Sequence, residues 1–294
     1  MEYLSVNKRL EKSFKENWER DALSNYQGTT ITYGELARRI ELMHIAFERA
    51  GLQSGDKIAL CARNQANWAV CFLSALTYGA VPVPLLHEFK SENIHNLVNH
   101  CEAKVLFVDE QIWENLSEAE MPGLVAILQM NNMKTLYTAE DFWGVKDETE
   151  TIFKEKYPNG FGPDDIAYFK ENPDDLALIN YTSGTSGFSK GVMIPFRALA
   201  ANINFAGAIA EPQMNCTSEM VALLPSAHMF GMMFEFLFEM TIGAHVHFLT
   251  RVPSPKVIMK AFSEIHPDVI ISVPLIIEKV YKSQIKPIAD RSKA

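Results

Sequence analysis

From Thr30 onward, segments of helical periodicity alternate with short apolar runs, the pattern that builds a parallel sheet with helices on both faces. Thr32 and Glu35 form a capping-box pattern ahead of Leu36, Ile40, Met43 and Phe47, which predicts an amphipathic helix ending near Gly51. KIALCAR (57–63) reads as a strand, ANWAVCFLSALTYG (66–79) as a helix, and VPVPLL as an edge strand or a strand end, because its two prolines cannot donate to a ladder. Ser91 is placed to cap a helix to Cys101, and KVLFVD (104–109) and LVAILQM (124–130) have the length and apolarity of buried strands.

Between Tyr137 and Asp175 the apolar runs thin out and Gly and Pro punctuate an acidic stretch, which reads as a connection between two sub-lobes, residues 1–170 and 171–294. The rhythm then resumes. LALINY, VALLP, HVHFLT and VIISVP read as strands, and 195–210, 228–242, 254–265 and 274–285 as helices. The chain of 294 residues is long enough for either one large or two medium lobes.

Lys+Arg total 27 against Asp+Glu 36, a net charge of −9 that opposes non-specific binding to nucleic acid or an anionic membrane, so any phosphate must be gripped locally. The four cysteines show no C-x-x-C pair, which reads as reduced thiols in a cytoplasmic protein. The charged N-terminus lacks the apolar core of a secretory signal. The most apolar stretch, His228 to Leu249, carries Glu235 and Glu239 near its middle and reads as a buried helix and strand.

The segment Tyr181–Val192, YTSGTSGFSKGV, holds three glycines, five hydroxyl residues and one lysine between an expected strand and an expected helix. That composition suits a phosphate cradle. Gly184 and Gly187 let backbone N–H groups converge on an anion, Thr182, Ser183, Thr185, Ser186 and Ser189 donate hydroxyl hydrogen bonds, and Lys190 adds a point charge. It is not a Walker A loop, which after Gly184 would need Gly at 189 and Ser or Thr at 191, where this chain has Ser189 and Gly191.

The loop resembles the Y-T-S-G-T-T-G-x-P-K-G-V signature of the acyl/aryl adenylate-forming synthetases, with Ser186 for the second Thr and Ser189 for Pro. ITYGELARRI, ALTYGAVPVPL and LLPSAHMFG resemble further motifs of that superfamily in the same order. HPDVIISVPLIIEKVYKSQI resembles its long-chain fatty acyl-CoA synthetase branch, with Leu275 where the pattern usually has arginine. The resemblance implies an α/β fold of two stacked, open, mainly parallel sheets flanked by helices, the N-terminal portion of such an enzyme. It implies ATP, Mg2+ and coenzyme A as cofactors or co-substrates, an acyl-adenylate intermediate, and a fatty acid as the acid. Passage of the acyl group to a carrier-protein phosphopantetheine, or a nucleotide- or acyl-binding module without turnover, are the competing readings. Small molecules are the expected partners, with no nucleic acid; peripheral membrane association and oligomeric state stay open.

His228, at an expected strand-to-helix junction, is implied to lie beside the reacting carboxylate, and with Lys190 it forms the expected catalytic pair. His228, Met232, Met233 and Phe236 are candidates for an acyl pocket, with plain core as the alternative for the last three. Glu235 and Glu239 are expected on a half-solvated helix face. His245 and His247 share a strand face but have no third ligand at metal-site spacing, so no metal ligands are expected in this chain. The superfamily's Y-G-x-T-E segment, its later ribose-binding aspartate motif and its C-terminal lid with a catalytic lysine have no counterpart before Ala294.

Overall fold

The computed structural model describes residues 3–139, 145–182, 190–210, 213–250 and 253–287. Helix α1 (Val6–Glu16) leads into strands β1 (Asp21–Asn25) and β2 (Thr30–Thr32) and helix α2 (Tyr33–Arg49). Thr32 caps α2 by accepting from the Glu35 N–H at 3.2 Å, while the Glu35 carboxylate pairs with Arg39 and does not return to Thr32. Strand β3 (Lys57–Cys61), helix α3 (Ala66–Tyr78) and strand β4 (Val81–Leu85) come next. Helix α3 ends at Gly79, whose φ of 88° is left-handed, and a Cβ there would stand 2.7 Å from the Phe169 ring. Then come α4 (Ser91–His100), β5 (Ala103–Val108), α5 (Glu110–Trp113), β6 (Ala126–Gln129), β7 (Thr135–Thr138) and α6 (Val145–Lys156). The N-cap of α4 is Lys90, so Ser91 is its first helical residue.

The second half holds the hairpin β8 (Leu176–Thr182) and β9 (Lys190–Pro195), helix α7 (Phe196–Ala210) and strand β10 (Glu219–Ala222). Helix α8 (Met229–Met232) continues through a π-helical stretch, Met233–Leu237, into α9 (Phe238–Ile242). Strand β11 (His245–Phe248) and helices α10 (Pro255–Ile265) and α11 (Pro274–Val280) complete the order. The run VIISVP forms no strand and contributes only an isolated bridge from Val269 to Met220.

Two main sheets result. One has the order β4-β3-β5-β6-β7, parallel except for β7, with β4 at its edge, one of the two placements its prolines suit. The other has the order β10-β11-β1-β2, parallel except for β2. The sheets do not divide the chain at residue 170, because β1 and β2 pair into the sheet that β10 and β11 form. The β8–β9 hairpin lies against β4.

Helix α3 contacts β3 and β4 of the first sheet, β1 of the second, and α2. Trp68, Phe72, Leu73 and Leu76 are fully buried, and so are Ala69, Cys71 and Ala75 between them, so the helix is apolar all round. Its buried hydroxyl residues are satisfied within the helix, and Asn67 near its start donates to Met130 O and Asn131 O. The Ser74 and Thr77 hydroxyls donate to the carbonyls four residues back, and His44 from α2 meets Thr77 Oγ1 at 3.0 Å and Ser74 O at 3.1 Å. Burial pulls the His44 imidazole down to about 4 and keeps it neutral.

The helix Met229–Ile242 departs from the expected half-solvated face. It packs against α1, α7, β10 and β11, and Glu235 and Glu239 are 1% and 0% exposed. From Gly231 to Met240 every residue except Phe234 is buried, so this helix has no face left for water. Glu235 accepts from the N–H groups of Leu223 (3.1 Å) and Leu224 (2.8 Å), whereas neither Glu239 oxygen has a hydrogen-bond partner among the described residues. Burial pushes both carboxyls up to about 8.

These packed polar groups lead to two testable outcomes. A carboxyl whose folded value is raised loses stability as pH climbs from its ordinary value near 4.5 towards 8, at about 1.4 kcal/mol per pH unit for one group. Glu239→Gln should therefore gain on the wild type between about pH 5 and pH 8 in denaturant unfolding; parallel pH dependences would show that Glu239 does not carry a buried proton. Asn64, just after β3, donates to Leu224 O (2.6 Å) and accepts from Ser226 N (2.7 Å), tying the first sheet to the end of β10. Asn64→Ala should cost about 1–3 kcal/mol in the same measurement, since it strands a part-buried N–H and a carbonyl.

Candidate functional site

The carboxyl ends of parallel strands from both sheets open onto one crevice, the usual ligand position in open α/β sheets. Arg63 and Asn64 come after β3, His87 and Glu88 after β4, Leu223 to Pro225 after β10, and Leu249 and Thr250 after β11. Together with Phe230, Val273, Leu275 and Ile276 they line a cavity of about 450 Å³ whose wall is mostly apolar. Leu275 adds an exposed apolar side chain to this wall at the position where the synthetase pattern has arginine.

His228 also lines this cavity. The turn that carries it is held from three sides. His228 N–H donates to Pro225 O at 2.9 Å, Asn64 brackets Leu224 and Ser226, and Asn180 of β8 donates to Ala227 O at 2.9 Å. Gly231 lets the helix back up against this turn, because a Cβ there would meet Leu224 Cβ and Pro225 O at 2.9 Å. The imidazole caps the helix through Nδ1, which accepts weakly from Phe230 N–H at 3.4 Å, and the side chain is exposed to the cavity. The expected strand-to-helix placement of His228 is therefore observed, and it acts as a cap as well as facing the cavity.

At the hairpin, Thr182 pairs with Lys190, and both are exposed at its open end. Ser183, Gly184, Thr185, Ser186, Gly187 and Ser189 lie outside the described residues. Asn180 and Thr182 point to the same face of β8, about 7 Å apart. Since Asn180 bonds to Ala227, the mouth of the hairpin stands beside the His228 turn. Tyr181 points the other way and bonds His100 Nδ1 at 2.6 Å, which anchors the strand to α4.

Met232, Met233 and Phe236 are 0%, 2% and 1% exposed and belong to the main core, where Phe236 meets Trp68 and Phe72 edge-on at 6.0 and 5.8 Å. None of the three lines the cavity. The residues that sequence reasoning missed are Arg63, Asn64 and His87. Their signal was positional: each comes just after an expected parallel strand, on the side where such sheets bind ligands.

The AMP-binding enzyme family matches residues 10–293. The chain is 26% identical over 265 residues to long-chain-fatty-acid–CoA ligase 5 of Mus musculus, covering 85% of this chain and 37% of that protein. It is 28% identical over 278 residues to the probable acyl-activating enzyme 16, chloroplastic, of Arabidopsis thaliana, covering 90% of this chain and again 37% of that protein. The chain thus spans a little over a third of the length of these curated relatives. Among solved structures, a red-emitting luciferase from Phrixothrix hirtus superposes with a TM-score of 0.80 at 17% identity, covering 98% of this chain and 54% of that one. ATP-bound MatB from Rhodopseudomonas palustris superposes with a TM-score of 0.74 at 21% identity, covering 96% and 52%. These superpositions establish the fold of the N-terminal domain of adenylate-forming enzymes, and with a family match spanning nearly every residue, the chain belongs to the AMP-binding enzymes.

Proposed function

We propose that a protein carrying this chain activates a fatty acid with ATP and passes the acyl group to coenzyme A. The observation that supports the reading best is the apolar cavity at the strand ends, with His228 on its wall and the Thr182–Lys190 hairpin mouth beside it. The names of the curated relatives, several of them long-chain-fatty-acid–CoA ligases, favour a fatty acid over other acids.

In this reading the acid's carboxylate oxygen attacks the α-phosphorus of ATP. The acyl–phosphate bond forms as the bond to pyrophosphate breaks, and the anionic partners must be neutralised and held in line. Lys190 supplies positive charge and the hydroxyls and N–H groups of residues 182–189 supply donors. The thiolate of coenzyme A then attacks the acyl carbon, a C–S bond forms, and AMP leaves with the electron pair of the broken C–O bond. Mg2+ arrives with the nucleotide. Glu88 is the one carboxylate on the described cavity wall, 3.5 Å from His87, so this chain is assigned no metal ligands for that step. Chain-length selection is assigned to Leu223, Phe230 and Leu275, because Met232, Met233 and Phe236 are committed to the core.

In a protein of the relatives' full length, Lys190→Ala and Thr185→Val should each slow ATP–pyrophosphate exchange by about 10²–10³-fold; unchanged exchange in both would remove the loop from the phosphate site. His228→Ala should impair acyl-CoA formation with ATP affinity nearly unchanged in calorimetry, and equal loss of both would give the residue a structural role only.

The 294 residues alone should fold cooperatively yet form no acyl-CoA from ATP, Mg2+, a fatty acid and coenzyme A. In-line displacement also needs the ribose fixed and water excluded, and the matches extend over only 37% of the curated relatives' length. Turnover at about 1 per second or faster would overturn that division of labour.

A further inference from the structure

Three polar side chains on the second sheet converge away from the cavity. His245 and His247 alternate on β11 and so share a face, and Glu219 is the register partner of His245 on β10. One carboxylate oxygen, Glu219 Oε2, stands 3.0 Å from His245 Nδ1 and 2.6 Å from His247 Nε2, and the two rings lie 4.0 Å apart. One ligand atom from each residue can be chosen so that all lie within 4.8 Å of one another. The third ligand that sequence spacing lacks is supplied by strand register, since Glu219 is 26 residues from His245 in the chain but directly opposite it in the sheet.

We propose that Glu219, His245 and His247 bind a divalent transition-metal ion of the zinc class. Two imidazole nitrogens and a carboxylate oxygen are the donors such ions prefer, and one or more positions are left for water. Ligand atoms on a tetrahedral ion with bonds of about 2.1 Å stand about 3.4 Å apart. Glu219 Oε2 therefore has to withdraw by under an ångström from both nitrogens, which its 36% exposed side chain allows.

The surroundings also suit a metal site. His245 Nε2 meets Ser24 Oγ at 2.8 Å, and Ser24 meets Thr30 Oγ1 at 2.6 Å, so a hydroxyl pair on β1 and β2 orients the ring from behind and leaves Nδ1 facing Glu219. On the other side, Asp268 accepts from Glu219 N–H at 2.8 Å and fixes the start of β10. Glu219 and His245 begin β10 and β11 and His247 is the third residue of β11, whereas the cavity residues Leu223 and Leu249 follow the carboxyl ends of the two strands. The ion would act as a staple between neighbouring strands, separate from acid activation.

The test is calorimetric titration of the chelator-treated 294-residue chain with Zn2+, together with Co2+ absorption spectra. Expected are one saturable equivalent, a rise in thermal midpoint with added Zn2+, and a visible Co2+ spectrum of nitrogen and oxygen ligation. His247→Ala and Glu219→Gln should abolish the signal, and Ser24→Ala should weaken binding by about 10-fold or more. Absence of saturable Zn2+ uptake by the wild-type chain would overturn the proposal, as would uptake unchanged in both ligand variants. If those variants fail to fold, the wild-type Co2+ spectrum still decides, because a thiolate charge-transfer band would place the metal at a cysteine.

Discussion

Helix α3 has to satisfy two sheets at once. A parallel sheet needs both faces covered, and here one helix covers faces of both, so every side of it meets apolar surface and no stripe remains for water. That requirement explains why Ser74 and Thr77 turn their hydroxyls back onto their own helix and why His44 is held neutral beside them. It also explains the sharp stop at Gly79, where the chain must reverse into β4 with the Phe169 ring pressed against it. Stacking Trp68 on Phe72 at 5.3 Å, with Phe236 edge-on to both, carries the contact through to the helix that begins at His228.

Because α3 holds the two sheets together, their carboxyl ends face one crevice, and the candidate site forms along the line where they meet. Its residues come from five separate parts of the chain, near 63, 87, 224–230, 250 and 275. The wall is apolar even though the chain carries a net charge of −9, so the charged residues are spent elsewhere. Apolar walls suit an aliphatic guest, and the cations that would meet a phosphate are confined to single positions such as Lys190 and Arg63.

Much of this was legible in the residues. The alternation of periodicities located most elements from α2 to α10 to within a few residues, and the prolines of β4 fit the edge position that the strand takes. The Gly- and hydroxyl-rich segment was expected to lead from a strand into a helix, whereas strand β9 follows it and pairs back onto β8 before α7 begins. The features that stayed hidden depend on partners far away in the chain. Strands β1 and β2 join the second sheet because the pairing of β1 with β11 spans more than 200 residues, which no local pattern reports. The run VIISVP is apolar enough for a strand but finds only a single bridge. The burial of Glu235 and Glu239 was unreadable because the helix is enclosed by α1, α7, β10 and β11, the first of them more than 200 residues away in the chain. Glu219 joined His245 and His247 only once register was known.

Glu235 links the core to the site. Its carboxyl oxygens receive the N–H groups of Leu223 and Leu224, the last residues before the turn that carries His228, and both leucines line the cavity. A strand that ends in a turn leaves donors without ladder partners, and burying them unpaired would cost several kcal/mol in all. A side chain from the next helix solves this at short range, and it requires that helix to run back across the strand end, which Gly231 permits by having no Cβ. The direction of the helix, the position of its His228 cap and the shape of the cavity wall therefore come from one arrangement. A carboxyl pushed up to about 8 holds its proton at neutral pH and can sit there without a counter-charge. A lysine or arginine in its place would present no acceptor to those N–H groups, and an apolar residue would leave them bare.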